Sequence, residues 1–185
     1  MTAQLGILLS GSGSTYANLV SAITRGELPA EIAVVIASRA DVGGWKRAQD
    51  FGHPVVLAST ADAVTAALLA HGAEWVAMCG WLRFWDPPPP FAGRTVNIHP
   101  ALLPQFGGQG MYGRRVHEAV LAAGVQRSGC TVHLVAGAYD SGTQLAQAEV
   151  PVLPGDTPDI LQARVQEAER LLYPRVLARL LSAAK

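Results

Sequence analysis

The sequence is short of the features that mark secreted, membrane and nucleic-acid-binding proteins. It contains only two cysteines, Cys79 and Cys130, which are too few for a disulfide framework and lack the spacing of metal ligands. Its apolar runs are all shorter than the ~20 residues of a membrane span, and no basic segment precedes the first of them, as one would in a signal peptide. The formal net charge is +0, so no overall field attracts nucleic acid or an anionic membrane. We therefore expect a cytoplasmic protein with buried, reduced thiols.

Apolar residues are what the chain has in quantity. Hydrophobic residues make up 50% of its 185 residues and charged residues only 15%, a balance that excludes disorder. This length is sufficient for a substantial core. We expect one domain over residues 1–185, without repeats or an internal linker.

The spacing of apolar residues predicts an α/β fold. The first half alternates short apolar runs with helical patterns, giving strands at 4–9, 31–37, 55–57 and 74–79 and helices at 16–25, 44–51 and 62–71. Near-continuous apolar runs are typical of parallel strands that are buried on both faces. The second half predicts strands at 95–98, 129–135 and 144–150 and helices at 113–123 and 158–183. The expected architecture is a doubly wound, mostly parallel sheet with right-handed crossovers.

Asn97 and His99 stand at the end of the fifth predicted strand. Residues two apart on a strand project to the same face, and Pro100 should end the strand because it has no N–H. An amide donor beside an imidazole that titrates near neutrality could hold a carbonyl as it becomes an oxyanion. The alternative is a polar strand end whose side chains cap the loop.

A loop of glycine and hydroxyl residues follows the first predicted strand. Its position before a helix suits a phosphate, because free N–H groups and the positive end of the helix point outward. No lysine follows as in a Walker A loop, and Tyr16 replaces the third glycine of a dinucleotide fingerprint. A plain βα turn remains an alternative, and Ser38 with Arg39 keeps an NADP-linked reductase open. The loop residues are Gly11, Ser12, Gly13, Ser14 and Thr15.

Further polar and aromatic residues are ambiguous from sequence alone. Asp140 precedes Gly142 in a tight turn, where it either forms an Asx-turn or orients His99. We interpret His133 as structural, and we expect the remaining histidines, His53, His71 and His117, to be solvated. Trp81 and Trp85 flank Arg83 after the fourth strand and form either a platform for a flat ligand or ordinary cover over the sheet.

Several segments in this order resemble the folate-dependent phosphoribosylglycinamide formyltransferases. Asn97-Ile98-His99-Pro100-Ala101-Leu102-Leu103-Pro104 is very close to their Asn-Ile-His-Pro-Ser-Leu-Leu-Pro. Residues 10–15 resemble their Ser-Gly-x-Gly-Ser-Asn loop, residues 80–83 their Gly-Phe-Met-Arg, and residues 140–142 their Asp-x-Gly. Segments at 147–152, 164–166 and 173–174 extend the resemblance over nearly the whole chain.

The resemblance implies formyl transfer from 10-formyltetrahydrofolate to the amine of glycinamide ribonucleotide, without a metal. The implied catalytic set is Asn97, protonated His99 and Asp140, with the Asp140 carboxylate favouring the imidazolium. The ribonucleotide would be held by Gly11, Ser12, Gly13, Ser14, Thr15, Gln166 and Glu169. The folate would be held by Leu82, Arg83, Phe84, Trp85, Asn97, Tyr139 and Asp140, beside residues 105–112. Residues 1–100 would then form the phosphate-binding half and residues 101–185 the folate-site half.

The sequence departs from the pattern in places, and rivals remain. Thr15 replaces an asparagine, Thr143 often a proline, and Trp85 a smaller aliphatic residue, and residues 59–65 offer no basic partner for a folate glutamate tail. A formyltetrahydrofolate hydrolase would share the catalytic residues but would need no phosphate loop. A methionyl-tRNA formyltransferase would need a tRNA-binding domain and a basic surface. A homodimer of this chain is compatible with the sequence.

Overall fold

One seven-stranded sheet forms the centre of the protein, in the strand order β3-β2-β1-β4-β5-β6-β7. The computed structural model describes residues 2–183. In chain order the elements are β1 (Ala3–Leu9), α1 (Ser14–Thr24), β2 (Ala30–Ala37), α2 (Gly43–Asp50), β3 (Val55–Leu57), α3 (Ala61–Ala70), β4 (Trp75–Met78), β5 (Thr95–His99), α4 (Arg114–Ala122), β6 (Arg127–Leu134), β7 (Gln144–Pro151) and α5 (Pro158–Ala183). The predicted elements are all found, with ends that differ by no more than two residues.

The pairing of the strands confirms a doubly wound, mostly parallel sheet. Strands β1 to β5 pair in parallel, whereas β6 and β7 are antiparallel additions at one side. The chain builds outward from β1 to β3 and then returns to place β4 beside β1. This reversal opens a crevice at the carboxyl ends of β1 and β4, the usual ligand site of such sheets.

Two hydrophobic layers cover the sheet. Along β1, Leu5, Ile7 and Leu9 belong to the layer under α1, α2, α4 and α5, whereas Leu8 belongs to the layer under α3. Burial on both faces explains why the strands read as near-continuous apolar runs. Cys79 and Cys130 are both buried, as expected. Over residues 2–183 the structure contains no helix long and apolar enough to cross a bilayer.

The long helix α5 continues through Pro174 because its lost hydrogen bond is replaced. Proline has no N–H to donate to the carbonyl four residues earlier, that of Arg170. The side-chain amide of Asn18 on α1 donates to this carbonyl instead, at 2.9 Å. One turn of helix that proline would otherwise weaken is therefore tied to α1.

Candidate active site

A cavity of about 490 Å³ lies at the carboxyl ends of β4 and β5. Of the residues expected at a substrate site, it is lined by Thr15, Leu82, Arg83, Phe84, Trp85, Asn97, His99, Tyr139, Asp140, Gln166 and Glu169. Gly11, Ser12, Gly13 and Ser14 do not line it. The fold thus brings the expected catalytic and folate residues together with one end of the glycine loop.

Asn97 is held by a histidine on the neighbouring strand. In the β5–β6 register Asn97 pairs with His133, and the Asn97 Nδ2 atom lies 3.1 Å from the His133 Nε2 atom. The Nδ1–H of His133 donates to the Leu134 carbonyl at 2.9 Å, because a carbonyl can only accept. The Asn97 amide is therefore held on one side by the His133 ring, and its second N–H remains available to a ligand.

His99 is buried, with only 4% of its surface exposed, and its two nitrogens face different partners. The Nε2–H donates to the Phe106 carbonyl at 2.8 Å, which fixes the tautomer of the neutral ring. The Nδ1 atom lies 3.4 Å from the Asp140 Oδ2 atom. Burial lowers the pKa of His99 and outweighs the Asp140 carboxylate and the Phe106 carbonyl, which raise it. The Asp140 carboxylate thus favours the imidazolium, as the resemblance implies, but desolvation of the ring opposes the charge.

Asp140 occupies a turn that aims its carboxylate at both histidines. Its backbone has φ 54°, a left-handed conformation uncommon outside glycine. The Gly108 N–H donates to its Oδ2 atom at 2.9 Å, and its Oδ1 atom lies 3.5 Å from the Nε2 atom of His133. Burial raises the pKa of Asp140, but the His133 and His99 rings and the Gly108 N–H together hold it below its usual value. Asp140 is therefore an anion beside His99 and does more than form a turn.

Two histidines lie closer to the site than the sequence suggested. His133 contacts Asn97 and faces Asp140, so its interpretation as merely structural missed a residue of the site. The signal that could have found it is the pairing of β6 with β5, which the sequence does not specify. His117 was expected to be solvated, but it is only 1% exposed and lines the cavity. The amphipathic register of α4 turns it inward.

The glycine loop delivers the start of α1 to the edge of the cavity. Gly13 caps the helix with φ 75° and has no side chain to accept a hydrogen bond from the first N–H groups. A Cβ atom at Gly13 would lie 2.7 Å from the Cα atom of Gly44. This glycine therefore serves the contact with α2. Thr15, in the first turn, is the loop residue that lines the cavity.

Helix α5 presents one polar stripe to the cavity. Gln162, Gln166 and Glu169 follow at helical spacing, and all three line it. Burial raises the pKa of the Glu169 carboxyl to about 7. Four residues on, the Tyr173 hydroxyl lies 3.0 Å from the Met78 carbonyl and 2.8 Å from the Val96 carbonyl. Tyr173 thereby anchors α5 to β4 and β5 and so positions Glu169, one turn earlier, at the ends of these strands.

The aromatic segment after β4 divides between core and cavity. Of the two alternatives for Trp81 and Trp85, burial favours cover over the sheet, because they are only 9% and 3% exposed. Trp85 packs on Phe91 and donates through its indole N–H to the Thr65 hydroxyl at 3.1 Å. Its role as cover over the sheet is therefore confirmed, although part of it reaches the cavity wall. The exposed aromatic contact is instead Phe84 against Tyr139, with ring centroids 5.4 Å apart.

Comparison with known proteins identifies the family. Residues 3–177 match the formyl transferase family. This chain belongs to the formyl transferase family. The phosphoribosylglycinamide formyltransferase of Haemophilus influenzae is 31% identical, over 94% of this chain and 85% of that protein. The glycinamide ribonucleotide transformylase 1 of Symbiobacterium toebii is 34% identical with a TM-score of 0.89, over 98% and 89% of the two chains.

Two further proteins resemble this chain over less of their own length or in fold alone. The chloroplastic phosphoribosylglycinamide formyltransferase of Arabidopsis thaliana is 34% identical over 94% of this chain, and this chain spans only 64% of it. A formyltetrahydrofolate deformylase of Pseudomonas syringae shares the fold with a TM-score of 0.87, at 20% identity. Membership of this family leaves the NADP interpretation without support, and Arg39 forms a 2.9 Å ion pair with Asp41.

Proposed function

We propose that the chain transfers a formyl group from 10-formyltetrahydrofolate to the amine of glycinamide ribonucleotide. The observation that carries this proposal is the set of side chains that line one cavity. An amide donor, an imidazole and a carboxylate lie at one end, and a carboxyl without a hydrogen-bond partner in residues 2–183 lies on the helix above. The relatives in the formyl transferase family that carry this activity by name support it.

The ribonucleotide would enter at the end of the cavity nearest α1 and α5. Its phosphate would accept hydrogen bonds from the free N–H groups at the start of α1, where the helix end is positive. Glu169 faces the same cavity and suits hydroxyl or amine donors. A carboxyl with a pKa of about 7 is ionised at an electrostatic cost, because burial desolvates it. Binding a polar substrate there would relieve that cost.

The folate would occupy the other end, against residues 82–85 and the turn that carries Tyr139 and Asp140. Leu82 and Phe84 are 48% and 55% exposed, so apolar surface is available to a flat ring. The formyl group would then lie beside Asn97. A free amide proton of Asn97 would donate to the formyl oxygen.

During the transfer, the attacking amine must lose a proton and the folate N10 atom must gain one. The amine attacks the formyl carbon, and the formyl oxygen gains a negative charge that the Asn97 amide stabilises. Neutral His99 accepts the proton that the amine loses, directly or through water, and Asp140 stabilises the imidazolium that forms. As the bond from carbon to folate N10 breaks, His99 returns the proton to N10. The products are N-formyl glycinamide ribonucleotide and tetrahydrofolate.

A direct assay distinguishes this proposal from hydrolysis. The absorbance change on release of the folate product is followed with and without glycinamide ribonucleotide. We expect release only when the ribonucleotide is present, and formyl recovered on its amine. Release at the same rate without ribonucleotide would identify a hydrolase and overturn the proposal. The variant His99→Ala serves as the control for protein-dependent turnover, with an expected loss of about 10²–10⁴-fold in kcat.

A further inference from the structure

The start of helix α4 carries two arginines where a helix disfavours cations. Arg114 and Arg115 form its first turn, which contains no acidic residue. The N-terminal end of a helix is positive, so cations there are unfavourable unless an anion is near. Arg114 has such anions, because it pairs with Glu118 at 2.8 Å and with Asp159. For Arg115 the described part of the chain offers no carboxylate within ion-pair distance.

Arg115 is directed by an aromatic ring and lines the cavity. Its guanidinium carbon lies 5.2 Å from the centre of the Tyr112 ring, and both residues belong to the cavity wall. A guanidinium stacked on a ring keeps its edge N–H groups free, and these can bind an oxyanion in bidentate fashion. The Tyr112 ring thus orients the Arg115 guanidinium, and the N–H groups on its edge remain available to a ligand.

A second observation at the same wall is a polar atom of His117 that is unpaired among the residues that the structure describes. His117 follows on the same helix and lines the same cavity. It is only 1% exposed, and within residues 2–183 its Nδ1 atom has no hydrogen-bond partner. Buried polar atoms in native proteins are nearly always paired. Burial lowers the pKa of His117, which favours a ring with one nitrogen that can accept a hydrogen bond.

We propose that Arg115 and the positive end of α4 bind an oxyanion group of one of the substrates. This inference rests on the proposed function. Two groups have the required chemistry, a carboxylate of the folate glutamate tail and the phosphate of the ribonucleotide. The start of α1 already offers donors for the phosphate, whereas Arg83 is the one cation among the expected folate residues that line the cavity. We therefore assign Arg115 to the carboxylate, as a residue that sets folate affinity and takes no part in the chemical step.

The test compares Arg115→Gln with the matched control Arg114→Gln. Both remove one arginine from the same helical turn, but the Arg114 guanidinium faces Glu118 and Asp159. For Arg115→Gln we expect the KM for 10-formyltetrahydrofolate to rise about tenfold with kcat unchanged, as for loss of one charge-assisted contact. Arg115→Lys should recover part of the loss, and Arg114→Gln should behave as wild type. An increase in the KM for the ribonucleotide instead would assign the phosphate as the bound oxyanion, and unchanged KM values would overturn the proposal.

A binding measurement keeps this inference separate from the proposed function. Folic acid and pteroic acid differ by the glutamate tail, and their affinities can be compared by tryptophan quenching without turnover. Wild type should bind folic acid more tightly, and Arg115→Gln should lose that difference. If formyl transfer fails while the difference is present and depends on Arg115, only the proposed function falls. Equal preference for the tail in both proteins would overturn the role of Arg115.

Discussion

His99 shows how a single buried ring can serve both steps of a transfer. Its Nε2–H is committed to the Phe106 carbonyl, and its Nδ1 faces the Asp140 carboxylate. Burial favours the neutral ring before reaction, and the carboxylate stabilises the charged ring once a proton arrives. The opposing influences give a group that can accept a proton and release it again.

Asp140→Asn should change both the rate and its pH profile. The carboxylate raises the pKa of His99, so its removal lowers that pKa further. Activity that needs neutral His99 rises with pH through this pKa, and the acid limb should therefore move to lower pH. The imidazolium also loses its counter-ion, so we expect kcat to fall about 10²-fold. The measurement is kcat from about pH 5 to about pH 9, with thermal melting as the control for folding, and an unchanged profile would leave Asp140 a turn residue.

Glu169→Gln should raise the stability of the fold and lower the affinity for the ribonucleotide. The pKa of this carboxyl is about 7 in the folded protein and near 4.5 otherwise. The unfolded chain therefore ionises first as pH rises, and the folded state loses stability between these values. The glutamine should stabilise the protein by about 2 kcal/mol at about pH 8 and by little at about pH 4. Thermal melts at both pH values test this sign, and ribonucleotide affinity should fall. Equal melting of the two proteins at the higher pH would contradict it.

The residues of the site were predictable where local spacing determines them. Asn97 and His99 share a face because strand residues alternate, and this holds without any knowledge of partners. His133 required the antiparallel register of β5 with β6, which is set by contacts between distant segments. The low pKa of His99 was likewise beyond the sequence, since burial is a property of the packed chain.

At the scale of elements, the turn between β1 and α1 is built for close packing with α2. The Gly44 N–H donates to the Gly11 carbonyl at 3.0 Å, and the Arg47 side chain donates to the Ser12 carbonyl at 2.9 Å. The sequence predicted the loop and its place between a strand and a helix. It did not show that Gly13 is required by a neighbouring backbone, because that contact lies across two separate crossovers.

Two glycines of this turn should respond differently to alanine. Gly13→Ala places a Cβ atom 2.7 Å from the Gly44 backbone at a φ of 75°, so both a clash and a left-handed conformation oppose it. We expect a loss of about 2–4 kcal/mol in the free energy of unfolding. Gly11→Ala meets nothing within 4 Å and is the matched control, with an expected change of about 0.5 kcal/mol or less. Urea unfolding measures both, and equal losses would refute the packing role of Gly13.

At the scale of the whole molecule, α5 joins the two halves that the sequence separates. The layer that it covers contains Tyr16 and Leu19 from the first half together with Val132 and Leu177 from the second. The Tyr173 hydroxyl contacts the carbonyls of Met78 and Val96, in β4 and β5. The layer under α3 consists of buried residues of the first half, but the layer under α5 is shared by both halves. The second half therefore has no buried layer separate from the first, and the division at residue 100 should describe ligand binding and not folding.

We therefore expect the protein to unfold in one cooperative transition. The four tryptophans, Trp45, Trp75, Trp81 and Trp85, all lie in the first half, so their fluorescence reports only on that half. In the variant Cys79→Ala the remaining thiol, the buried Cys130 on β6, reports on the second half. Fluorescence, thiol reactivity and circular dichroism should give urea midpoints that agree within about 0.2 M. If Cys130 became reactive at a urea concentration clearly below the midpoint of the tryptophan transition, the antiparallel strands would unfold as a separate unit. Helix α5 would then not join the two halves into one cooperative unit.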